Sequence, residues 1–204
     1  MIKNEKLIIG NMIPSKAKNF IFVLVILVIV FSYSCRKDVR RENAAKTIKE
    51  WTGKEIKFPK ELAITSIGRD TTCIDLYNDN FKILLYVDSS GCTSCRLKLY
   101  EWKMIIDESD SIFLKKPEFV FIFQPKKRDE RELQIILIQN GFDHPFFIDK
   151  DNEIGRLNAF PSNSDYNCFL LDKDNKVIVI GNPVQNSGIW QLFKKVIRER
   201  EILY

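Results

Sequence analysis

Two unbroken apolar runs constrain the fold of this 204-residue chain more than any other feature: KILLYV at Lys82–Val87 and FVFIF at Phe119–Phe123. Runs of that length without polar alternation suit strands covered on both faces, as in sheets sandwiched between helices. After the first run, Leu99, Trp102 and Ile106, together with Leu97, Tyr100 and Met104, give a wide apolar face at helical spacing. Asp129–Asn140 repeats that pattern with Leu133, Ile136 and Leu137 inward, and Gly141 ends it. Pro145–Ile148 reads as a third strand. Cys168–Leu171 and Val177–Ile180 flank Asp172-Lys173-Asp174-Asn175 as an antiparallel hairpin, and Ile189–Arg198 is a closing helix with Trp190, Phe193 and Val196 inward. Upstream, Ala44, Ala45, Ile48 and Trp51 make a helix that Gly53 can end. Ala63–Ser66 and Thr72–Leu76 read as short strands about Gly68. Alternation of this kind predicts an α/β domain, with a mostly parallel central sheet carrying an antiparallel edge and helices on its faces. Trp51, Trp102 and Trp190 each lie on an apolar stripe and read as core.

The N-terminus follows a different logic. Lys3, Lys6, Lys16 and Lys18 against Glu5 make a basic leader, followed by FIFVLVILVIVF at Phe20–Phe31. That run suits a signal-peptide core and is short for a membrane-spanning helix, which needs roughly 20 apolar residues. Ser32-Tyr33-Ser34-Cys35 follows it directly and resembles a bacterial lipoprotein processing site, with Cys35 the lipidated residue. The competing reading is an uncleaved anchor; either way, the remainder is expected outside the cytoplasm, where disulfides persist. The expected division is 1–34 signal peptide, 35–55 tether and short helix, and 56–204 a single domain. Four lysines against one glutamate account for +3 of the net +5, so +2 remains after the leader. Basic and acidic residues interleave through the rest, which argues against a nucleic-acid footprint. The RKDVRRE stretch after Cys35 reads as a solvated tether.

The chemistry is concentrated in VDSSGCTSCRLKLYEWK, Val87–Lys103, where a strand gives way to a helix. A thiol at such a junction faces the unpaired N–H groups and positive dipole end of a helix, which favour thiolate. Cys92 then attacks and Cys95, with two residues between them, resolves. Two other readings stay open on the residues alone. Cys73, Cys92, Cys95 and Cys168 number four, as a tetrathiolate zinc site needs, but only one close pair is present. The Cys92–Cys95 pair could also be a permanent structural disulfide. Cys73 and Cys168 are read as buried thiols, and whether they pair is a geometric question.

Joined to that element order, YVDSSGCTSCRL and the late CFLLDKDNKVIVIGNP resemble the thioredoxin fold in the extended form of membrane-tethered TlpA-like proteins, from about Ile56 onward. The resemblance implies thiol-disulfide exchange through Cys92 and Cys95, no organic cofactor or metal, and redox partner proteins or small thiols in the cell envelope. A monomer is expected, lipid-anchored at the inner or outer membrane and facing the periplasm. Three positions depart from the family. Gly91 stands where a tryptophan is usual, and Tyr86 where a buried carboxylate is usual, six residues before the first cysteine. The partner-binding cis-proline slot before the late strand falls on Tyr166, with Pro161 the nearest candidate cis-proline. These departures keep a second reading in view, a non-catalytic thioredoxin-like binding lipoprotein.

Two further motifs are assigned no chemistry. Asp-Lys-Asp-Asn occurs at Asp149 and Asp172 and reads as turns rather than calcium loops, for want of the required glycine and distant glutamate. His144, the lone histidine, reads as a surface-loop residue.

Overall fold

The run at Lys82–Val87 becomes the middle of the sheet because neither of its faces can be left in water. The structure is a computed structural model that describes residues 22, 24–27, 39–59, 64–65, 76, 78–89, 97–161 and 163–201. The chain forms two units, Met1–Lys46 and Thr47–Tyr204. In the first, every described residue is helical (22, 24–27 and 39–46). No helix formed by the described residues is long and apolar enough to cross a membrane.

The second unit opens with helical residues 47–51, and Gly53 takes φ +80° immediately after. Its strands are β1 (Ile64–Thr65), β2 (Lys82–Val87), β3 (Glu118–Phe123), β4 (Phe146–Ile148), β5 (Cys168–Leu171) and β6 (Val177–Ile180). They form a six-stranded sheet in the order β1-β4-β3-β2-β5-β6. β2 pairs with β3 in parallel along its whole length, Lys82↔Glu118 through Val87↔Phe123. β3 and β4 are also parallel, whereas β1–β4, β2–β5 and β5–β6 are antiparallel. The helices are α1 (Leu99–Ile112), α2 (Glu130–Gln139), α3 (Glu153–Asn158) and α4 (Ser187–Glu201).

Period-two alternation in β2 divides the core in two. Ile83 and Leu85 face a layer built with Trp102, Leu133, Leu137 and Phe193, from α1, α2 and α4. Leu84 and Tyr86 face the other layer, with Trp51, Phe58, Ile122, Ile154 and Phe169. Parallel β2–α1–β3 and β3–α2–β4 crossovers of one hand place α1 and α2 on the same face. Trp51, Trp102 and Trp190 are all buried, as their stripes predict. This strand order and polarity is the thioredoxin-like fold: an α/β mixed sheet flanked by helices, with an N-terminal extension.

Several local expectations are corrected. Tyr100 and Met104 are 69% and 55% exposed, while Leu99, Trp102 and Ile105 are buried. Leu97 is buried, but Lys98 adopts a left-handed conformation (φ 47°) that breaks the helical phase between Leu97 and α1. The stripe Leu97–Tyr100–Met104 therefore never forms one face. Ile48 is exposed rather than inward, and in α4 Ile197 is fully buried whereas Val196 is partly so. The expected strand at 72–76 falls largely outside the described residues, and Leu76 lies in a turn. The Asp172 turn is as expected: its Oδ1 accepts from the backbone N–H groups of Asp174 and Lys176, both at 2.9 Å. Asp149 goes further, accepting from the N–H of Glu153 at 2.6 Å and of Gly155 at 3.2 Å, and so opens α3. That helix is absent from the sequence reading because Glu153–Asn158 is six residues long and carries a glycine.

Candidate functional site

The chain builds outward from β2 to β3 and β4, then returns to the far side of β2 with β5. In open α/β sheets the crevice at such a reversal, beyond the carboxyl ends of the strands, is the usual ligand position. β2 delivers its end there: Gln124 N–H donates to the Val87 carbonyl at 2.8 Å, and Ser89 N–H donates to Gln124 Oε1 at 3.1 Å. Cys92 and Cys95 lie in residues 90–96, outside the described residues, as do Cys35 and Cys73. Chain length still bounds the pair. Three peptide links hold the Cys92 Cα within about 11 Å of that of Ser89, and two hold the Cys95 Cα within about 7 Å of that of Leu97.

An open cavity of about 290 Å³ occupies this end of the sheet. Asp88 and Ser89 line it from β2's exit and Gln124 from β3's, while Phe160, Pro161 and Asn167 line it from the loop that leads to β5. Tyr86 forms the inner wall. Its hydroxyl donates to Asn152 Oδ1 at 3.0 Å, its backbone N–H donates to the Asn167 carbonyl at 2.9 Å, and its ring stacks on Phe160 with centroids 4.3 Å apart. One residue thus ties the end of β2 to both segments facing it. Asn152 holds its place from a left-handed conformation (φ 53°), which asparagine tolerates. Gly155 leaves the room for this arrangement: a Cβ there would lie 1.9 Å from Asn152 Oδ1 and 2.5 Å from the Tyr86 hydroxyl.

Of the two candidates for the proline slot, Pro161 lines the cavity and Tyr166 does not. The sequence leaves open whether Pro161 is cis; no peptide bond among the described residues is cis, so Pro161 is trans. Pro161 does not lead into β5, because the 3₁₀ turn Ser164–Tyr166 intervenes. Tyr166 sits half-buried in that turn, packed against the second core layer. The residue that immediately precedes β5 is Asn167, which sequence reasoning missed. Asn167 is 3% exposed, and its Oδ1 is buried with no hydrogen-bond partner among the described residues. A polar residue ending the NSDY loop was the available signal, but nothing in spacing marks it as buried.

Cys168 is a free thiol wholly inside the core, opposite Leu85, and burial pushes its pKa far up. It is inert toward exchange. His144 lies in a loop, as expected, but is half-buried rather than fully exposed. Its ring centroid lies 5.2 Å from that of Phe121, 6.2 Å from that of Phe119 and 6.1 Å from that of Phe142, and burial draws its pKa below the ordinary histidine value. The Pro145 carbonyl, 2.9 Å from Nδ1, opposes that shift. His144 is not among the cavity's described walls.

No family profile matches the chain, and no curated protein matches it. Among solved structures it is similar to a thioredoxin-like protein in its oxidised form, at 15% identity over 73% of this chain and 96% of that one, with a TM-score of 0.47. StoA from Bacillus subtilis gives 15% identity over 65% and 99% of the two chains, TM-score 0.44. A secreted thiol-disulfide isomerase from Corynebacterium glutamicum gives 19% identity over 59% and 74%, TM-score 0.44. The fold assignment stands on strand order and register.

The close packing around Gly155 has a measurable consequence. Gly155→Ala is expected to destabilise the protein by about 1–3 kcal/mol in urea unfolding, the usual cost of overpacking. In an Asn152→Gly background, which removes the nearest clashing atom and suits the left-handed backbone, that cost should fall by more than half. Equal costs in the two backgrounds would show that Asn152 does not occupy this space.

Proposed function

We propose that the chain is a TlpA-like thiol-disulfide exchange protein of the cell envelope, with Cys92 as nucleophile and Cys95 as resolving thiol. The observation that carries this reading is where the CxxC falls: between the described end of the central strand β2 and the buried Leu97, in a thioredoxin-like sheet. The Cys92 thiolate attacks a disulfide sulfur of the partner, forming a mixed disulfide and releasing one partner thiolate. Cys95 then attacks Cys92, closing the Cys92–Cys95 disulfide and releasing the second thiolate. Electrons pass through the cysteines alone, so no organic cofactor or metal is invoked, and the partners are envelope proteins or small thiols.

Residues 1–34 act as a lipoprotein-type signal peptide in this proposal, and 35–55 form a tether and short helix ahead of the 56–204 domain. Cys35 carries the lipid that holds a monomer at the inner or outer membrane, facing the periplasm. Several acyl chains on one end suffice for stable attachment. A second reading, a non-catalytic binding lipoprotein with a structural disulfide, draws on one observation. Tyr86, at the position of the family's buried carboxylate, presents a hydroxyl bonded to Asn152 instead.

Two experiments separate these readings. Cys92→Ser should abolish insulin-disulfide reduction, while Cys95→Ser should accumulate a mixed disulfide with the substrate; a Cys92→Ser variant that keeps its exchange activity removes the nucleophile assignment. In cells fed a labelled fatty acid, the wild-type chain should take up label and a Cys35→Ala chain should not. Equal labelling of both would place the lipid elsewhere.

A further inference from the structure

The loop from β3 into α2 carries Lys126, Lys127 and Arg128 in succession, and Arg131 follows in the first turn of the helix; all four are exposed. The nearest carboxylates are already engaged. Arg128 Nε lies 3.3 Å from Asp129 Oδ1, and Lys150 Nζ lies 2.7 Å from Glu130 Oε1. Lys126, Lys127 and Arg131 make no ion pair or side-chain hydrogen bond among the described residues. Glu132, the other acidic residue of that turn, projects about 100° round the helix from Arg131. Three cations are thus left without a counter-charge on one short stretch. The stretch is held firmly: Pro125 is buried, the Asp129 N–H donates to the Lys126 carbonyl at 2.8 Å, and Leu133 is 1% exposed in the core. A preorganised turn loses less freedom when it binds.

The position of this run decides what it can meet. Lys126 is two residues past Gln124, whose backbone N–H donates to the Val87 carbonyl and whose Oε1 accepts from the Ser89 N–H. The run therefore stands beside the exit of β2. A lipid surface laid against it would also cover that exit, whereas an extended polypeptide can touch the run and leave the exit open. We propose that Lys126, Lys127 and Arg131 dock an acidic segment of a polypeptide partner, a run of aspartates or glutamates a few residues from the partner's cystine. This rests on the exchange reading above and names a partner class for it. With a disulfide-linked peptide, Cys92 and Cys95 give up two electrons and two protons and close one disulfide. The peptide disulfide gains them and is cleaved to two thiols. The basic run steers and holds the partner without taking part in that transfer.

The test uses the full chain in neutral detergent, pre-reduced, in single-turnover oxidation followed by thiol trapping. Three homodimeric peptide disulfides are compared, alike except for a run of glutamates, glutamines or lysines a few residues from the cysteine. Each rate is divided by the rate of the same peptide with dithiothreitol, which removes intrinsic reactivity. The acidic peptide is expected to oxidise the pair about tenfold faster than the neutral one, as several exposed ion pairs together supply, with the basic peptide slowest. Added salt should shrink the difference. Charge reversal by Lys126→Glu, Lys127→Glu and Arg131→Glu together should invert the order and leave the neutral peptide's rate unchanged, which also shows that the variant is folded. Equal normalised rates for the three peptides, or a preference that survives charge reversal, overturn the docking surface while exchange stands. Equal rates with phosphatidylglycerol in the micelles slowing the wild-type chain but not the variant would assign the run to lipid and overturn the polypeptide partner. If no peptide oxidises the pair, the exchange reading fails and the partner class fails with it.

Discussion

Everything in the larger unit is organised by the pairing of β2 on both edges and its burial on both faces. β3 runs parallel along one side for all six residues, and β5 lies antiparallel on the other over Lys82–Leu85. A strand so enclosed cannot slip register without carrying Ile83 and Leu85 out of one layer and Leu84 and Tyr86 out of the other. Its carboxyl end is therefore a fixed point in the molecule. The segment that carries the CxxC is attached there, and the bound on the Cys92 position follows from that attachment.

Tyr86 converts this rigidity into a shaped cavity. The strand's last buried side chain reaches Asn152 at the start of α3, stacks on Phe160, and its backbone holds the residue that leads into β5. Asp149 secures the same region from below by opening α3 through the N–H groups of Glu153 and Gly155. The walls of the cavity come from four separate stretches of sequence, yet each is fixed to the sheet by a named bond. Sites held in this way keep their geometry because the supporting shell is itself packed and hydrogen-bonded.

Much of this was legible in the sequence. The doubly apolar runs identified β2 and β3, the stripe Leu133–Ile136–Leu137 identified α2's inner face, and the Asp-Lys-Asp-Asn turn identified the β5–β6 hairpin. Failures came where periodicity carried no signal. Lys98 shifts helical phase through a single left-handed residue, so Tyr100 and Met104 point outward although their spacing matched a stripe. α3 is too short to show a period, and its opening depends on Asp149, a residue that reads equally well as a turn. Asn167 is buried by the return of the chain to β5, a tertiary event that no local pattern encodes. His144 is half-buried against Phe119 and Phe121 of β3 and Phe142 of the loop after α2, which come together only in the fold.

The central claim is that the CxxC at the end of β2 turns over. Its most direct test is an equilibrium redox titration of the full chain in detergent, with thiol trapping of the Cys92–Cys95 peptide in graded dithiol/disulfide buffers. A reversible two-electron transition within roughly −120 to −270 mV, the range of thiol-disulfide oxidoreductases, is the predicted result. A pair that stays oxidised well below about −300 mV would be a structural disulfide, and would contradict the account.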